Sequence, residues 1–359
     1  MKRFIKGFIK DLLGWFLYAS KALDVFLLIR HRLNGSQGAV ILLYHRVIPR
    51  DRKDGVCLFP CIVVSRESFE KQMRFLSEHY NVMSLDDYLE ARVKKIPLPY
   101  KTAVITFDDG WKDNFLYALP LLKRYKLPAT IFLATGFIGK GEAFWPEKLG
   151  FLVKQIVASR SKTRKPVEDG FLEELRQLLD SAPNNLREEK IRLLLTRAME
   201  RLLYLDESRR NTLIARLESC LNDFEYPSEE NSCMNWEQIE EMKRSEISFG
   251  SHGVSHNVLT VLQEEKIAEE LEGSRRVIED KLGIEVKSFA YPNGDYSEDI
   301  VGRVRGAGYK AALTVDPGIN TLKTDIFRLK RINIHEGVST GFRGNFSKGL
   351  FSLYLSGLL

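Results

Sequence analysis

Short apolar runs alternate with helical patterns from residue 39 onward, and this alternation leaves few folds open to the chain. The runs are rich in β-branched and aromatic residues and have the length of strands that are buried on both faces. They cover Ala39–Tyr44, Thr102–Phe107, Ala129–Leu133, 247–249, 286–291 and 310–314. Strands that alternate with helices form a parallel sheet, which is either open or closed into a barrel. In such α/β folds the catalytic groups gather at the carboxyl ends of the strands, so we expect a site there.

Residues 140–235 interrupt this alternation. They hold Leu-, Arg- and Glu-rich helical patterns, for example over 171–179, 188–203 and 209–221, and no convincing strand. We interpret them as a helical subdomain or lid that is inserted into one α/β domain. The predicted order is an N-terminal leader over 1–33, the first part of the α/β domain over 39–139, the insertion over 140–235, the second part over 236–335 and an apolar tail over 336–359.

The positive charge of the chain is concentrated at its amino end. The net charge is +6 at pH 7, and residues 1–33 hold seven Lys and Arg against two Asp, which is +5 of that total. The remaining residues are therefore close to neutral and carry no basic footprint of the kind that nucleic acids require. We expect no nucleic-acid partner. The four cysteines are too few for a disulfide framework in a chain of 359 residues.

The leader over 1–33 combines aromatic and aliphatic residues with Lys and Arg. On a helical wheel its charged residues cluster on one side, and its apolar residues share another. The apolar set is Phe4, Phe8, Leu12, Phe16, Ala19, Leu23 and Phe26. This pattern is typical of a basic amphipathic helix that lies in a membrane interface, and the equally apolar tail fits the same location. We therefore expect peripheral association with a membrane surface, on a side that the sequence leaves open.

Other interpretations of the leader stay open. Packing of the helix on its own domain explains the same apolar side chains. A signal peptide with a cleavage site near Ala22 also fits, although the apolar run continues past that point. A membrane-spanning helix is disfavoured because it would bury Lys21 and Asp24.

Acidic and histidine side chains follow several of the strand-like runs. Asp108 and Asp109 end one run, and His45 ends another. His252 and His256 follow a third, with a spacing that places two imidazoles one helical turn apart. Each feature alone is weak, since His-x-x-x-His arises by chance and Asp-Asp-Gly often caps a helix or forms a turn. Together they predict two His and one Asp on a single divalent ion, with an open position for water.

The adjacent carboxylates Asp108 and Asp109 suggest a division of labour. Two such charges repel each other unless a metal neutralises one of them. One Asp would therefore bind the ion, and the other would stay free as a general base for a water molecule. Since neighbouring residues on an extended strand point in opposite directions, a turn at Gly110 is needed to bring both into one cavity.

The segments 106–110 (TFDDG) and 252–256 (HGVSH) resemble the first two motifs of the NodB-homology polysaccharide deacetylases, a carbohydrate esterase family. The resemblance also takes in 44–46 (YHR) and 289–294 (FAYPNG), and it spans about residues 39–335 apart from the insertion. It implies an irregular (β/α)7 barrel and a metal-dependent hydrolase that removes acetyl groups from a polysaccharide.

The resemblance also implies roles for single residues. Asp108 matches the catalytic base, and Asp109, His252 and His256 match the metal ligands. Zinc is the expected ion, although members of the family also use other divalent metals. The variant FAYPNG is similar to the branch that deacetylates poly-N-acetylglucosamine, in which the histidine of the early motif lies near the metal and acts as a general acid. His45 takes that place, unless it only ends the first strand in a turn.

The third motif departs from the common pattern of the family, which is Arg-Pro-Pro-Tyr-Gly. This chain has Ala290 where the Arg that frames the base is expected. Asn293 takes the place of the Tyr whose backbone N–H binds the oxyanion, and a backbone donor survives that change. Tyr291 lies close by as a second candidate for substrate contact, and Arg331 is a candidate to brace the base instead.

Three further side chains are candidates without a clear motif. His335 is an alternative general acid, in place of the late Leu-x-His motif of the family. Trp111 and Trp145 are candidate platforms for sugar stacking, although aromatic side chains more often pack in a core.

The function predicted from these features is N-deacetylation of a polysaccharide that contains N-acetylhexosamine, or of its precursor. An O-acetyl esterase or a different amidase is one alternative, because the same water-activating site serves either carbonyl. A glycan-binding member of the family without turnover is another, and the altered third motif leaves it open.

Overall fold

The computed structural model describes residues 2–33, 38–52, 59–141, 144–159, 188–205, 207–219, 221 and 231–358. The helix predicted over 171–179 lies outside these ranges, as do Cys57 and Cys220. The other two cysteines are free thiols, of which Cys61 is exposed and Cys233 is buried.

Parallel strands form the centre of the fold. Ten strands are described: β1 Ala39–Tyr44, β2 Arg46–Ile48, β3 Val63–Ser65, β4 Asn81–Val82, β5 Thr102–Phe107, β6 Ala129–Leu133, β7 Ile247–Ser251, β8 Ser288–Ala290, β9 Ala311–Leu313 and β10 Ile332–Asn333. β2 and β3 form a separate pair, and the other strands belong to one sheet. Its order is β10-β1-β5-β6-β7-β8-β9, with β4 beside β5, and the pairings between these strands are parallel.

A single segment, 326–334, closes the sheet into a barrel. Leu329 pairs with Leu313 of β9, and Ile332 pairs with Leu42 of β1. The same short stretch of chain therefore bonds to both edges of the sheet. The seven strands along the sheet path form the irregular (β/α)7 barrel that the sequence predicted.

Helices cover the connections between the strands. The described helices are α1 Lys2–Ala19, α2 Ala22–Leu33, α3 Arg66–His79, α4 Leu85–Val93, α5 Leu119–Tyr125, α6 Trp145–Ser159, α7 Glu188–Leu203, α8 Glu207–Glu218, α9 Trp236–Lys243, α10 Glu264–Ala268, α11 Ser274–Leu282, α12 Glu298–Gly306 and α13 Lys348–Leu355. Single π-helical turns, Asn114–Ala118 and Glu269–Gly273, precede α5 and α11. The hydroxyls of Ser65 and Ser297 cap α3 and α12, where they accept from N–H groups that the helix itself cannot pair.

The strands are buried on both faces because their side chains alternate between two parts of the core. Leu42 of β1 and Ile105 of β5 pack in the layer that holds most of the helices. Their neighbours Ile41 and Val104 pack instead with Phe132 and with residues of β8 and β9. This second cluster draws on strands from all round the barrel, so it is the interior of the barrel.

Helices α6, α7 and α8 lie in the region 140–235 and share an apolar cluster of their own. Its buried members include Trp145, Leu149, Leu195, Leu202 and Ile214. These helices are therefore held together by a small separate core and not by the barrel alone.

The two ends of the chain pack on each other. α1 crosses α13 at two glycines: a Cβ on Gly14 would lie 2.9 Å from Leu350 N, and a Cβ on Gly349 would lie 2.5 Å from Gly14 C. α13 in turn belongs to the core, where Phe351 is buried. One face of the leader thus packs on its own domain. Within the described ranges no single helix is long and apolar enough to cross a membrane; Gly7–Ala19 and Ala22–Leu33 meet that test only as a pair, and they are bent by 72°.

Replacing Gly14 with Ala is expected to destabilise the fold, whereas the same change at Gly7 is not. Both glycines lie in α1, where Ala favours the helix over Gly by about 0.5–1 kcal/mol. At Gly14 the added methyl collides with the backbone of α13, and overpacking of this kind costs about 1–3 kcal/mol. At Gly7 nothing lies within 4 Å of the added Cβ. Urea unfolding should therefore give a lower free energy of unfolding for Gly14→Ala only, and equal values for the two variants would contradict the close crossing.

Candidate active site

A left-handed turn at the end of β5 brings two carboxylates into one cavity. Asp108 continues the inward face of β5, two residues after Thr106 and four after Val104. An extended chain would point the next residue, Asp109, the opposite way. Instead Asp109 and Gly110 have φ values of 77° and 80°, a region that Gly adopts freely and Asp more readily than most residues. The sequence predicted a turn at Gly110, and the structure shows that Asp109 shares it.

Asp109, His252 and His256 form a group that fits one divalent metal ion. Their ligand atoms all lie within 4.8 Å of one another. Asp109 Oδ1 is 3.5 Å from His252 Nε2 and 3.4 Å from His256 Nε2. This oxygen is buried and makes no hydrogen bond within the described part of the chain, which is costly for a carboxylate unless an ion or water satisfies it. One carboxylate and two imidazoles are a donor set that divalent transition metals accept.

The two histidines lie on a loop and not on a helix. Residues 252–258 have no helical structure, and the left-handed residues Gly253 (φ 79°) and His256 (φ 55°) bend the loop. The predicted helical turn between the histidines is therefore wrong, although their rings do converge, with centroids 4.8 Å apart. The loop is irregular because it also bonds to the end of β6: Thr135 N and Gly136 N donate to its carbonyl groups.

The carboxylate of Glu270 holds this loop in shape. It accepts hydrogen bonds from Val254 N (2.6 Å), from Ser255 N (3.0 Å) and from the hydroxyl of Ser255. Glu270 lies in the π-helical turn that precedes α11, and single π turns are frequent at functional sites. Glu270 carries no signal in the sequence, because nothing in the local spacing links it to a loop that lies 15 positions earlier.

Two features suit the histidines to bind a metal: a hydrogen bond to the ring nitrogen of His252 that faces away from Asp109, and the burial of His256. His252 Nδ1 lies 2.8 Å from Ala290 O, which assigns the proton to Nδ1 because a carbonyl only accepts. Nε2 of the same ring then faces Asp109. Burial lowers the pKa of His256 to about 3, so this ring is neutral and keeps a lone pair for a metal. Burial alone would raise the pKa of Asp109, but the two histidines outweigh it and hold that pKa far below its usual range.

Asp108 is held by a buried guanidinium. Arg331 Nη1 and Nη2 donate to Asp108 Oδ1 and Oδ2, each over 2.7 Å. Burial on its own raises the pKa of Asp108, but Arg331 and, after it, His252 outweigh burial and keep the pKa below the usual value. Asp108 Oδ2 is 3.7 Å from His252 Nε2. An ionised carboxylate therefore lies directly beside Asp109, His252 and His256, which we call the metal-binding group for the ion that they fit.

Arg331 comes from the segment that closes the barrel. Its backbone N–H bonds to Asp316 O (3.0 Å), and its Nε donates to Thr314 O (2.8 Å). The third motif has Ala290 where an Arg is common, and the guanidinium that contacts Asp108 is supplied from a different strand. The structure thus places Arg331 in the bracing position that the sequence suggested as one possibility.

Trp111 is a buried partner of the metal-binding group and not a sugar platform. Its indole is 1% exposed, and Nε1 donates to Asp109 Oδ2 over 2.8 Å. The guanidinium of Arg46 lies over the ring, 4.3 Å from its centroid. Trp145 is buried as well, against Arg210. The predicted stacking role is therefore wrong for both tryptophans, since neither presents a ring face to a ligand.

Arg46 connects the site to the inserted helices. Its buried guanidinium bonds to Asp113 (2.8 Å), Glu147 (3.3 Å) and Asn231 (3.1 Å). Glu147 lies in the first turn of α6, so the insertion shares a network with the side chain that packs on Trp111. In the sequence Arg46 stands out only as part of the segment YHR, because its partners are 67, 101 and 185 positions away.

His45 lies at the carboxyl end of β1, and the charges of Asp108 and Asp109 act on it. Its Nδ1 is buried and has no hydrogen bond to any described residue, while its backbone carbonyl accepts from Asn114 Nδ2 over 2.8 Å. Burial lowers the pKa of His45, although the two carboxylates act in the opposite direction. The imidazole is therefore neutral at rest, and an acid at this position has to gain its proton during the reaction.

Asn293 is the exposed residue of the turn Pro292–Gly294 that follows β8, and its φ is 57°. The turn is tied to the metal-binding group, because the carbonyl of Ala290 accepts from His252 Nδ1. Tyr291 does not face the site: it is buried, and its hydroxyl donates to Phe327 O over 3.0 Å. The predicted contact of the Tyr291 side chain with substrate is therefore wrong.

His335 begins the short turn Glu336–Val338, where its Nδ1 accepts from Gly337 N over 3.2 Å. Burial lowers its pKa, and the charged group that acts on it is Glu336 and not a member of the site. The structure thus gives His335 a role in capping a turn and shows no contact that would bring it to the metal-binding group.

A family model matches two parts of the chain. The model described as "Polysaccharide deacetylase" matches residues 95–177 and 220–312. The matched ranges hold the metal-binding group and Asp108, but neither His45 nor Arg331.

Individual relatives and solved structures match this chain with different identities and over different lengths. A poly-beta-1,6-N-acetyl-D-glucosamine N-deacetylase of Staphylococcus aureus (strain MSSA476) is 37% identical over 78 residues, which are 21% of this chain and only 27% of that enzyme. The protein YxkH of Bacillus subtilis (strain 168) is 19% identical over 86% of this chain and 76% of its own. The Streptococcus pyogenes deacetylase PplD, in complex with acetate, has a TM-score of 0.53 at 18% identity over 86% of this chain and 96% of that chain. IcaB from Ammonifex degensii has a TM-score of 0.53 at 18% identity over 89% and 97%. At such identities these two structures show a shared fold.

Replacing Trp111 with Phe is expected to weaken metal binding about 10–100-fold. The variant keeps an aromatic ring for packing but loses the N–H that fixes Asp109 Oδ2. Trp236→Phe is the matched control, because Trp236 lies on α9, which contributes no ligand. Competition against a chelator, read out as bound metal, measures the difference. A metal affinity of Trp111→Phe equal to that of the wild type would show that the indole does not orient the ligand.

Proposed function

Since the chain belongs to the polysaccharide deacetylase family, we propose that it removes N-acetyl groups from a polysaccharide that contains N-acetylhexosamine, or from its precursor, with one divalent metal ion. One observation carries the proposal: two adjacent carboxylates have different surroundings. Asp109 lies against two imidazoles, whereas Asp108 lies beside them and is kept ionised by Arg331. This is the separation of metal ligand and general base that hydrolysis of an amide needs.

The ion proposed for this group is zinc. Asp109, His252 and His256 would hold it, since one carboxylate and two imidazoles with an open position are typical of catalytic zinc sites. When bound, the ion supplies Lewis acidity, which polarises an acyl oxygen and makes a water molecule easier to deprotonate. Trp111 and Glu270 keep the ligands in place before substrate arrives.

Asp108 is proposed to accept a proton from the attacking water. The carboxylate is ionised at neutral pH because Arg331 lowers its pKa, and the two-point contact fixes its plane. Each carboxylate oxygen retains a second lone pair on which the proton can be received. The backbone N–H of Asn293 is proposed to donate to the oxyanion that develops on the acyl group.

His45 is proposed to protonate the leaving amine nitrogen. In the overall reaction the hydroxyl part of one water bonds to the acyl carbon and the C–N bond breaks. The proton passes through the site to the nitrogen, which releases acetate and a free amine. Since His45 is neutral at rest, the proton that it donates is one that it takes up during turnover.

Two considerations support an N-acetyl substrate over an O-acetyl substrate. The Staphylococcus aureus relative is named as an N-deacetylase of poly-beta-1,6-N-acetyl-D-glucosamine. In addition, an amine must be protonated before it can leave. His45 is placed to supply that proton, because it lies near enough to Asp108 and Asp109 for their charges to act on its pKa. An ester alcohol depends less on such a donor.

The experiment that tests the proposal measures acetate release by the full chain, with and without added zinc. Poly-β-1,6-N-acetylglucosamine oligomers, chitooligosaccharides and O-acetylated xylan are the substrates. We expect metal-dependent release from an N-acetylated glycan. Release from acetylated xylan alone would replace the proposal by an O-acetyl esterase, and binding without release from any of them would replace it by a glycan-binding protein.

Two substitutions separate the base from the ligands. Asp108→Asn should lower kcat about 10²–10⁴-fold and leave bound zinc in place, because it removes only the proton acceptor. Asp109→Ala should instead remove tightly bound zinc, because it deletes a ligand. Asp86→Asn, which changes a half-buried carboxylate on α4 that pairs with Lys287, is the control for loss of a negative charge. Full zinc occupancy in Asp109→Ala would refute the assignment of the ligands.

Arg331→Lys should move the acid limb of the kcat/KM profile to higher pH. The base works only when ionised, and Arg331 keeps its pKa low. A Lys cannot make the two-point contact, so the pKa of Asp108 rises and activity is lost at a higher pH as the solution is acidified. The misplaced base should also lower kcat by about 100-fold. Arg328→Lys, on the same segment but paired with the exposed Glu298, should leave the profile unchanged. An unshifted limb in Arg331→Lys would mean that Asp108 is not the titrating base.

A further inference from the structure

The leader packs on the domain with its less apolar face. In α1 the side chains of Asp11, Gly14 and Tyr18 turn toward the protein: Asp11 accepts from Phe342 N over 3.1 Å, Gly14 crosses α13, and the hydroxyl of Tyr18 is 3.5 Å from His79 Nε2. A helix on the surface of a globular protein normally does the reverse and buries its apolar stripe. The packing of α1 leaves most of its large apolar side chains exposed, although Phe8 contacts Phe342 edge to face.

The uncovered side chains form a surface that continues from α1 into α2. Its members are large apolar residues that are 37% to 81% exposed: Phe8, Ile9, Leu12, Leu13, Trp15, Phe16, Val25, Phe26, Leu28, Ile29 and Leu33. In α2, too, polar groups take part in the contact with the domain, since Asp24 pairs with Lys101 over 2.5 Å and Arg30 donates to Ser356 O over 2.7 Å. We call these eleven residues the leader surface. Exposed large apolar residues in such number on two consecutive helices indicate an interaction site.

A cavity beside α1 extends this surface. Its volume is about 590 Å³, and it lies between α1 and the segment 341–349. Apolar side chains such as Phe8, Trp15 and Phe342 line it together with the cations Arg343 and Lys348. An apolar cleft next to fixed positive charge suits a ligand that joins hydrocarbon to an anionic group.

The charge around the leader surface is positive. Lys10 of α1, Lys21 between the two helices and Arg32 of α2 are exposed. The only acidic residues of the leader, Asp11 and Asp24, are used in bonds to the domain. The electrostatic potential on the exposed side of the leader is therefore positive. A positive potential repels a second copy of the same surface and attracts an anionic surface.

We propose that α1 and α2 anchor the protein in the interface of an anionic lipid bilayer, with the leader surface inserted among the headgroups and upper acyl chains. Uncovered apolar side chains gain free energy in that layer, and Lys and Arg gain contacts with lipid phosphates. The bend of 72° between the helices suits a pair that follows the interface and not one straight span.

The anchor leaves the candidate active site in the aqueous phase. α2 lies at the amino ends of the barrel strands, where Leu27 and His31 share a cleft with Ala39 of β1 and Thr102 of β5. The metal-binding group lies at the opposite, carboxyl ends of the strands. A bilayer beneath α2 therefore faces away from the site, which suits a substrate that extends into solution.

The test is co-sedimentation of the full chain with vesicles of phosphatidylcholine alone or mixed with phosphatidylglycerol. We expect binding to the mixed vesicles, with weaker binding at high salt or without the anionic lipid. Leu13→Glu with Phe16→Glu should weaken binding about tenfold or more, because both side chains lie in the leader surface, where they are 46% and 59% exposed. Val261→Glu with Val277→Glu is the matched control, since both valines are exposed elsewhere, at 41% and 38%.

Three outcomes would overturn the anchor. One is wild-type protein that stays in solution with mixed vesicles, or a Leu13→Glu/Phe16→Glu variant that binds as the wild type does. Another is a lipid-free dimer in light scattering that the same variant dissociates, which would make the surface a contact between copies. The third is wild-type protein that resists extraction by alkaline carbonate, as a spanning segment does. Acetate release from soluble oligomers should be equal in wild type and variant, so failure of the anchor is distinguishable from failure of the proposed enzymatic function.

Discussion

The buried ion pair between Arg331 and Asp108 is the interaction on which the rest of the site depends. Removal of two charges from water costs several kcal/mol for each ion, and only good geometry with further hydrogen bonds offsets that cost. Here both guanidinium nitrogens meet the carboxylate at 2.7 Å, and Nε is satisfied by Thr314 O. Arg331 reaches Asp108 only because its segment joins β9 to β1. The segment that closes the barrel therefore also supplies the guanidinium that holds Asp108.

Around this pair each candidate ligand is oriented by a second group of the protein. Trp111 donates to one oxygen of Asp109, and the Ala290 carbonyl accepts from Nδ1 of His252. Glu270 accepts from the backbone of the loop that carries His256. Because these bonds occupy the far ends of the ligands, the near ends converge on one point. Arg46 extends the network to Glu147 of α6. The inserted helices are thus bonded to the shell of the site, and their position bears on its geometry.

The leader differs from the centre of the protein in the kind of side chain that it leaves exposed. The centre of the protein buries charges and satisfies them. The leader instead turns Asp11 and Gly14 of α1 inward and buries Leu23 of α2, but it leaves most of its large apolar side chains exposed. In water such a surface has no compensating contact, and an apolar or lipid environment supplies one. A glycine crossing of α1 with α13 fixes which face is outward, because only a helix without side chains there can approach so closely.

Local pattern was enough to predict the alternating strands and helices, and the segments TFDDG and HGVSH identified the carboxylates and imidazoles that converge. These features depend on neighbours a few positions apart, whose spacing sets burial and backbone conformation. Three things were decided only by tertiary structure: the two-point contact of Asp108 with Arg331, which the sequence offered only as one candidate 223 positions away, the use of Trp111 as a donor to Asp109 and not as a sugar platform, and the face of α1 that is covered. Each of these is a contact between segments distant in the chain. The hydrophobic pattern says that a side chain is buried or exposed, but the path of the folded chain decides which group it meets.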